Sequence, residues 1–481
     1  MSASNPQLGA TTRRARPTSL VWVIAITGAA QFMGSLDNLV VTFALPVIRR
    51  SLHAGLAGLE WTVNAYTLSF AVLLLTGAAL GDRFGRRRMF VVGIGIFTVA
   101  SAVAALAPNI DVLIAARAVQ GAGGALLIPL SLTLLSAAVP EARRNVALGV
   151  WGAIGGLAVA IGPLVGGAVV EGLSWQWIFW LNVPIGVALL PLAWTRLDES
   201  HGDSRRLDLR GIVFASVGLF GIVFGLVRGG DVGWTNTQIL ASFAVGVSAL
   251  VGFIIFELRS DHAMLPMALF RRRGFSVVNG VSLFMSFGMF GSIFFLAQFL
   301  QTVQGYSPLS AGVRTLPWTA MPVLVAPFTG PLVEKFGGRT LITLGLALQA
   351  IGLAWIAFVI SPGTGYLDFV PAFVISGVGM SLFFVPVASV LLSSVPRVAE
   401  GVASGTNNAI RELGGVFGIS VLGALFASFG SYASGLTYVA GLLPALRVGI
   451  SVVAAGAILA AVLPRPARRE LAESELELEA A

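Results

Sequence analysis

Long apolar runs separated by short polar connections are the feature of this 481-residue sequence that most restricts its fold. Crossing a hydrocarbon core about 30 Å thick takes a helix of about 20 residues, and each run comes close to or exceeds that length. With 56% apolar and 11% charged residues, the composition excludes a soluble globular protein. The sequence predicts an all-α polytopic membrane protein with fourteen transmembrane helices, at residues 20–48, 61–80, 89–107, 111–139, 146–170, 176–195, 210–227, 237–257, 276–301, 311–333, 341–360, 367–393, 402–429 and 444–463.

The distribution of positive charge predicts how these helices are oriented. Most of the 30 Lys and Arg residues fall in alternate connections, whereas the connections between them contain only Arg49, Arg50 and Arg228. Basic connections are retained on the cytoplasmic side of a membrane. Both termini are therefore predicted to be cytoplasmic, and the pI of about 10.8 reflects orientation rather than nucleic-acid binding.

A short charged loop after the second run recurs later in the sequence. Residues 81–87 read Gly-Asp-Arg-Phe-Gly-Arg-Arg, and residues 333–339, after the tenth run, read Val-Glu-Lys-Phe-Gly-Gly-Arg in the same register. An internal repeat of this kind indicates two related halves. Because the copies follow the second and tenth runs rather than the second and eighth, two helices are predicted to be inserted between six-helix halves.

This arrangement predicts the domain organisation. It comprises a cytoplasmic segment at 1–19, a six-helix bundle at 20–195, an inserted two-helix linker region at 196–273, a second six-helix bundle at 274–463 and a cytoplasmic acidic tail at 464–481. Two bundles that face each other around a site near the middle of the membrane are the arrangement that alternating access requires.

The repeated loop also carries a family resemblance. It resembles the loop that the major facilitator superfamily has between its second and third helices, and the matching residues are Gly81, Asp82, Arg83, Gly85, Arg86 and Arg87. Ala78 stands where that family usually has Gly. The resemblance implies the major facilitator fold and a role for this loop in gating the cytoplasmic side.

Three further stretches resemble the fourteen-helix drug:proton antiporter branch of that superfamily. They are residues 36–46 in the first run, 175–186 at the sixth, and 298–312 between the ninth and tenth, with Leu39 and Gln176 among the departures from the branch. The resemblance implies a proton-coupled antiporter that exports hydrophobic or amphipathic small molecules, such as drugs or antibiotics.

The fifth run contains small residues that resemble the antiporter motif of exporters, namely Gly149, Gly162, Pro163, Gly166 and Gly167. Residues spaced by four lie on one helix face, so Gly162 and Gly166 let a partner helix approach closely. Pro163 removes a backbone hydrogen bond and permits a bend. Close packing alone explains these residues equally well, and the resemblance favours a role in export.

Ionisable residues inside a bilayer are costly, so they mark functional sites. With these run boundaries, Asp37 is the only acid placed deep in a helix, and Arg117 enters the fourth run from the same side. We expect a direct or water-bridged pair between them. Arg117 and Gln120 also resemble a fourth-helix motif that the family uses in proton transfer. Glu412 is a second candidate for proton coupling, although an ion pair near the cytoplasmic end is the favoured interpretation.

Polar and aromatic residues within the runs are candidates for lining a substrate cavity. Apolar walls with a few polar groups suit bulky amphipathic molecules. The candidates are Gln31, Asn38, Asn64, Tyr66, Gln120, Gln298, Trp318, Asn407, Asn408 and Arg411. The last three are spaced i, i+1 and i+4, which predicts one polar patch facing the cavity. For each candidate, ordinary helix packing is the alternative.

Other chemistries lack the residues they need. The sequence has no Cys, its three His residues lie in different connections, and its only Lys, Lys335, does not belong to a phosphate-binding loop. We therefore expect no enzyme activity, metal or cofactor, and transport driven by a proton gradient.

The expected partners are small organic substrates, protons and membrane lipid, with no nucleic acid. The expected state is a monomer that crosses a bacterial plasma membrane many times. A lipid or envelope-precursor flippase on the same fold and a non-transporting membrane sensor are the alternatives. A sensor would tolerate loss of Asp37.

Overall fold

The structure, a computed structural model, describes residues 20–202, 208–260, 263, 265, 267–396 and 399–463. The predicted terminal segments 1–19 and 464–481 lie outside these residues. The helices are α1 Leu20–Ser51, α2 Leu56–Phe84, α3 Arg86–Ala105, α4 Ile110–Ala138, α5 Glu141–Gly172, α6 Trp177–Trp180, α7 Asn182–Arg196, α8 Leu209–Val232, α9 Thr237–Arg259, α10 Arg273–Thr302, α11 Pro308–Thr319, α12 Met321–Phe336, α13 Gly338–Val359, α14 Tyr366–Ser393, α15 Glu400–Phe429 and α16 Gly435–Ala460. A 3-10 turn, Met267–Arg271, precedes α10.

The described helices agree with the predicted number of membrane crossings. Thirteen segments are long and apolar enough to cross a membrane, with α6 and α7 together forming one of them. The tenth predicted run is a fourteenth segment, bent by 63° between Pro308–Val325 and Pro327–Phe336. Proline at the break lacks an N–H group and cannot continue the helical hydrogen bonding. The prediction of an all-α chain with fourteen spans is confirmed.

The helices form two bundles, α1–α7 and α10–α16, and the inserted helices α8 and α9 lie to one side. Helix α8 packs against α9, and also against α2 of the first bundle and α15 of the second. Two helix pairs make most of the contact between the bundles, α2 with α15 and α5 with α11, while α1 with α10 and α5 with α12 make less. We call the first two pairs the α2–α15 seam and the α5–α11 seam.

The internal repeat has the same backbone geometry in both bundles. Gly85 ends α2 with a φ of 103°, and Gly337 ends α12 with a φ of 80°. Residues with a side chain rarely adopt such positive φ values, so glycine fits both turns. The repeat seen in the sequence therefore marks the same sharp turn in each half.

Candidate functional site

The centre of the first bundle contains an ion pair between Asp37 on α1 and Arg117 on α4. Both residues are almost completely buried, with 1% and 0% of their surface exposed. The Nη1 atom of Arg117 pairs with Oδ2 of Asp37. The other carboxylate oxygen, Oδ1, accepts hydrogen bonds of 2.8 Å from Gln120 Nε2 and from Asn182 Nδ2. The pair expected from the sequence is present, while its role in proton coupling stays a prediction.

The guanidinium of Arg117 is held by three further contacts. Its Nε donates to the Thr62 carbonyl at 3.1 Å, and its Nη1 donates to Gln120 Oε1 at 2.7 Å. The guanidinium carbon lies 4.2 Å from the centre of the Tyr66 ring, a cation–π distance. Its Nη2 has no hydrogen-bond partner among the described residues.

Two uncharged residues complete the network and were missed by sequence reasoning. Asn182, at the start of α7, donates to Asp37, and Ser101 on α3 accepts from Gln120 at 2.9 Å. Neither carries a charge, so neither is conspicuous within an apolar run. Asn182 could have been found from the sequence because it lies inside the stretch 175–186, which resembles the drug:proton antiporter branch. Helices α1, α3, α4 and α7 thus meet at one carboxylate.

The hydrogen bonds around Asp37 all come from donors. The carboxylate accepts hydrogen bonds from three N–H donors, so these contacts suit its ionised form. A proton on Asp37 would leave the Arg117 charge uncompensated in a buried site. An uncompensated buried charge costs several kcal/mol, about 3–5 when one partner of a pair is removed.

The helical turn of α1 that follows Asp37 contacts the glycines of α5. A Cβ on Gly162 would lie 2.9 Å from the Leu39 Cβ, and one on Gly166 would lie 3.0 Å from the Val40 Cα. Helices α1 and α5 are therefore in close contact at these glycines, as predicted from their spacing. Movement of α1 at Asp37 would be transmitted to α5.

The adjoining face of α5 packs on α11 in the outer half of the membrane. A Cβ on Gly167 would lie 2.4 Å from the Pro308 carbonyl oxygen, and a Cβ on Gly312 would lie 2.2 Å from that of Pro163. One turn deeper, Thr319 Oγ1 donates to the Ala160 carbonyl at 3.2 Å. Only glycine fits such close backbone approaches, so these residues hold the outer half of the α5–α11 seam closed.

Contacts near the outer ends of α1 and α10 also close the outer side. Gln301 Nε2 of the second bundle donates to the Phe43 carbonyl of the first at 3.0 Å. The Arg49 guanidinium lies 3.8 Å from the ring centre of Tyr432, in the connection after α15. Burial raises the pKa of the Tyr432 hydroxyl, which therefore stays protonated and donates to Gln298 at 2.7 Å.

The cytoplasmic half of the α5–α11 seam is open. Gly149 was predicted to belong to the antiporter motif, yet a Cβ placed on it would meet no atom within 4 Å. Gly152 and Gly156 have equally open surroundings. Gly149 is thus not brought together with Gly162, Pro163, Gly166 and Gly167. An outer side that is closed and a cytoplasmic half that is open describe an inward-facing state.

The loop at 81–88 lies on the cytoplasmic side and contacts the segment that follows α7. The Arg86 guanidinium pairs with Asp82 at 2.8 Å. Glu199 accepts hydrogen bonds from the backbone N–H groups of Arg87 and Arg88, at 2.9 and 3.3 Å, so it caps the start of α3. All these partners belong to the first bundle or its trailing segment. Asp82 is predicted to act in the conformation whose cytoplasmic side is closed, so its gating role stays a prediction.

The remaining residues of the loop are fixed by packing. A Cβ on Gly81 would lie 2.2 Å from Leu130 Cδ2, and a Cβ on Gly85 would lie 2.8 Å from the Glu199 carboxyl. The Arg83 guanidinium lies 5.3 Å from the ring centre of Phe84. The glycines therefore allow α2 to pack against α4 and the Glu199 carboxylate to reach the loop.

In the second bundle the predicted polar patch on α15 is divided. Asn407 is buried and donates to Asn279 Oδ1 at 3.2 Å and to Ser282 Oγ at 2.9 Å, both on α10. It therefore packs within its own bundle, and the prediction that it faces the cavity is wrong. Asn408 and Arg411 are half-buried, so only Asn407 of the three is buried. Arg411 and Glu412 form the ion pair favoured from the sequence, at 3.5 Å.

Few of the ten cavity candidates lie at an accessible surface. Half-buried positions are occupied by Gln31, Asn38, Asn408 and Arg411. The buried candidates contact other residues of the protein. Asn64 is hydrogen-bonded to Ser420, Gln298 is hydrogen-bonded to Tyr432, and the Trp318 ring stacks 5.8 Å from that of Phe373. Tyr66 and Gln120 contact Arg117, and Asn407 contacts α10. The structure therefore shows the buried candidates in helix packing, which was the alternative to a role in the cavity.

One intramembrane acid was assigned to a connection by mistake. Helix α2 begins at Leu56 rather than at the predicted residue 61, so Glu60 lies inside it and only 1% of its surface is exposed. The charge of Glu60 caused the predicted run to begin at residue 61, five residues after the helix begins. Glu60 is therefore a buried acid near the outer end of α2 that the predicted run left out.

Comparison with known proteins places this geometry among membrane transporters. The sequence matches the model of the Major Facilitator Superfamily over residues 27–419. It is 34% identical over 417 residues to the tetracenomycin C resistance and export protein of Streptomyces glaucescens, covering 86% of this chain and 77% of that protein. It is 32% identical over 469 residues to the methylenomycin A resistance protein of Streptomyces coelicolor, covering 97% of each.

A solved structure shows the same fold. It is that of a bacterial homologue of the human lysosomal transporter Spinster, described as inward-facing and unoccupied. The TM-score is 0.66 at 16% identity, covering 93% of this chain and 97% of the other. At this identity the likeness supports the arrangement of helices described above.

Proposed function

Because this chain belongs to the major facilitator superfamily, we propose that it exports hydrophobic or amphipathic organic molecules in exchange for protons. The family and fold are those of membrane transporters. Export is supported by relatives named for antibiotic resistance, among them the tetracenomycin C resistance and export protein. Exchange for protons is carried by one observation, the buried Asp37–Arg117 pair at the meeting point of four helices.

The inward-facing geometry fits one step of a proton antiport cycle. Asp37 is held by N–H donors as an ionised carboxylate, the form expected after a proton has left toward the cytoplasm. Substrate then enters from the open side. After the outer side opens, protonation of Asp37 weakens its ion pair with Arg117 and favours the return of the protein to the inward-facing state.

Movement at Asp37 reaches the seam through α1 and α5. Val40 lies one helical turn from Asp37 and touches Gly166, while the neighbouring Gly167 touches α11 of the other bundle. A short chain of backbone contacts therefore joins the acid to the interface between bundles. Coupling between two sites needs such a shared element with two arrangements.

The proposal includes the energy source, the partners and the location. Transport runs on a proton gradient with no cofactor, and the chain acts as a monomer. Its location is the inner membrane of a bacterium, as expected from the bacterial relatives.

The test is proton-driven transport by the purified full chain in liposomes. A panel of amphipathic antibiotics and dyes, first screened for resistance in an efflux-deficient host, supplies the substrate. Asp37→Asn should bind substrate and exchange it down its gradient, but should not concentrate it when a pH gradient is imposed. Uphill transport by Asp37→Asn would remove Asp37 from the coupling role.

The matched control is Asp111→Asn, an acid on the same side of the membrane that is exposed at the start of α4. It should transport as the wild type does. Size-exclusion chromatography and substrate binding show whether Asp37→Asn is folded, so a loss of transport is not confused with a loss of protein.

A second candidate function is the movement of a lipid or envelope precursor. The open cytoplasmic half of the α5–α11 seam favours it, because a lipid needs a lateral opening. The same liposomes containing a fluorescent phospholipid distinguish the two. Lipid flipping without drug transport would support the second candidate.

A further inference from the structure

The inserted helix α8 touches both bundles. It contacts α2 of the first bundle and α15 of the second along the α2–α15 seam. Alternating access moves the two bundles against each other, so the outer ends of α2 and α15 must separate when the outer side opens. A helix that touches both of them can follow only one. The contacts of the insertion indicate which bundle it follows.

Helices α8 and α9 form a hairpin that is packed closely enough to move as one unit. A Cβ on Gly221 of α8 would lie 2.8 Å from the Ser242 carbonyl oxygen of α9, and a Cβ on Gly246 of α9 would lie 2.9 Å from the Ile222 backbone nitrogen of α8. Small residues that let backbones approach in this way are typical of helix pairs that associate in membranes. A contact that holds one of these two helices therefore holds both.

The cytoplasmic end of α9 is joined to the second bundle. The Leu265 backbone N–H group donates to Oε2 of Glu257 in α9 at 3.0 Å. Leu265 precedes the 3-10 turn, whose Phe270 ring centre lies 5.0 Å from that of Phe275 in α10. The Ser276 hydroxyl of α10 also donates to the Phe270 carbonyl. Consecutive contacts thus connect α9 to the first helix of the second bundle.

Near its outer end, α8 packs closely on the second bundle. A Cβ on Gly230 would lie 3.0 Å from the Ala427 Cβ of α15, so the two helices are in close contact at this point. Deeper in the membrane, the fully buried Val416 of α15 belongs to the same apolar cluster as Leu219 and Val223 of α8. The hairpin is therefore attached to the second bundle on both sides of the membrane.

The contact of α8 with the first bundle is of a different kind. It consists of apolar side chains, with the Phe220 ring centre 5.4 Å from that of Trp61, and with Leu68 and Val72 of α2 in the apolar cluster. The glycines of α2 pack on α4, so the described residues show no close approach between α8 and α2 like the one at Gly230. Apolar side chains in such a contact can slide past one another, as in the shear motions of packed helices.

We propose that α8 and α9 move as part of the second bundle, and that α8 provides an apolar surface along which α2 slides when the outer side opens and closes. The α2–α15 seam then keeps a third helix beside it throughout the transport cycle. This inference rests on the proposed export function, because it concerns the conformational change that export requires. It adds a role for the two helices inserted between the bundles.

Pairs of introduced Cys residues test which bundle the hairpin follows. The chain has no Cys, so each introduced pair is the only one present. Gly230→Cys with Ala427→Cys joins α8 to α15, and Trp61→Cys with Phe220→Cys joins α8 to α2. Each pair is bridged in the purified full chain with a short bis-methanethiosulfonate reagent. The reduced form of the same protein is the control for folding.

The two bridges should have opposite effects on transport in liposomes. The bridge between α8 and α15 should leave transport at the rate of the reduced protein, because these helices move together. The bridge between α8 and α2 should stop transport until it is reduced.

A bridge across the seam itself is the positive control. Asn64→Cys with Ser420→Cys joins α2 directly to α15, at the site of their hydrogen bond, and should also stop transport until it is reduced. Loss of transport with the α8–α15 bridge, or full transport with either of the bridges to α2, would overturn the proposal.

A second measurement needs no substrate. A Cβ on Gly312 would lie 2.2 Å from the Pro163 carbonyl oxygen, so Gly312→Leu opposes closure of the outer α5–α11 seam and favours the outward-facing state. In that background the α8–α2 pair should be bridged more slowly, while the α8–α15 pair should be bridged at an unchanged rate. Equal changes in the two rates, or no change in either, would contradict the proposal.

The outcomes separate the role of the hairpin from the export function. If wild-type protein moves no drug or dye, the export proposal fails, and the two bridging rates still decide which bundle the hairpin follows. If export is found but the α8–α15 bridge stops it, the proposed role of the hairpin fails and export stands.

Discussion

Asn64 and Ser420, which are 356 residues apart in the sequence, are joined by a buried hydrogen bond of 3.0 Å between the two bundles. This bond lies one turn deeper than Glu60 in the α2–α15 seam. Opening of the outer side requires the outer ends of the bundles to separate, so contacts here favour the inward-facing state. Asn64 was predicted to line the cavity and instead lies in the seam.

Replacing Ser420 with Ala should shift the protein toward the outward-facing state. A hydrogen bond of this kind contributes about 1 kcal/mol, so the populations should change by about fivefold. The measurement is the labelling rate of a single Cys placed at Thr315, which is buried on α11 between Gly312 and Thr319 in the outer half of the α5–α11 seam. Faster labelling is expected, and an unchanged rate would mean that the bond does not hold the seam.

Replacing Gly312 with Leu should prevent closure of the outer α5–α11 seam. A Cβ at this position would lie 2.2 Å from the Pro163 carbonyl oxygen, which is backbone and cannot move aside cheaply. Overpacking of this type costs about 1–3 kcal/mol or more. Transport should fall at least tenfold, while Gly95→Leu, made where space is open, should transport normally. Full activity of Gly312→Leu would exclude a functional role for the close approach.

Replacing Asp82 with Asn should lower turnover with little change in stability. Asp82 and Arg86 are partly exposed, and pairs of this kind contribute about 1 kcal/mol or less. The predicted role lies in closing the cytoplasmic side, so maximal transport rate should fall while substrate affinity is kept. The same change in the second copy of the loop, Glu334→Gln, is the comparison. Wild-type turnover in Asp82→Asn would remove the gating role.

Charge made part of the site predictable from the sequence. A charged residue deep in a membrane needs a partner, so Asp37 and Arg117 could be paired from their depth alone. An ion pair was also predicted for Glu412, and the structure shows Arg411 as its partner. Helix periodicity placed Gly162 and Gly166 on one face, and the structure shows α1 against that face.

Uncharged partners and the state of the seams were beyond sequence reasoning. Ser101 and Asn182 are polar residues of ordinary type, and only the meeting of four helices shows that they surround Asp37. A transporter of this kind adopts more than one conformation from the same sequence. The half of the α5–α11 seam that is closed differs between conformations, so it could not be predicted from the sequence. Gly149 and Gly167 look alike in sequence, yet only Gly167 is packed.

The contact between Glu60 and Gly423 provides the last test, since it concerns the acid that the run boundaries missed. A Cβ on Gly423 would lie 1.9 Å from the Glu60 Oε1 atom, so the Glu60 carboxyl occupies the space beside this glycine. Gly423→Ala should therefore displace the end of the flexible Glu60 side chain and weaken the contact between the outer ends of α2 and α15. A cost of about 1 kcal/mol, the low end for overpacking, would shift the population toward the outward-facing state by about fivefold.

A second substitution distinguishes this contact from general damage to α15. Glu60→Asp keeps the charge but shortens the side chain by one methylene, which makes room for the Ala methyl group. Glu60→Asp combined with Gly423→Ala should recover transport relative to Gly423→Ala alone, and the double-mutant cycle gives the coupling between the positions. Additive losses in the double variant would show that the two residues act independently, and Glu60 would then have no part in holding the outer side closed.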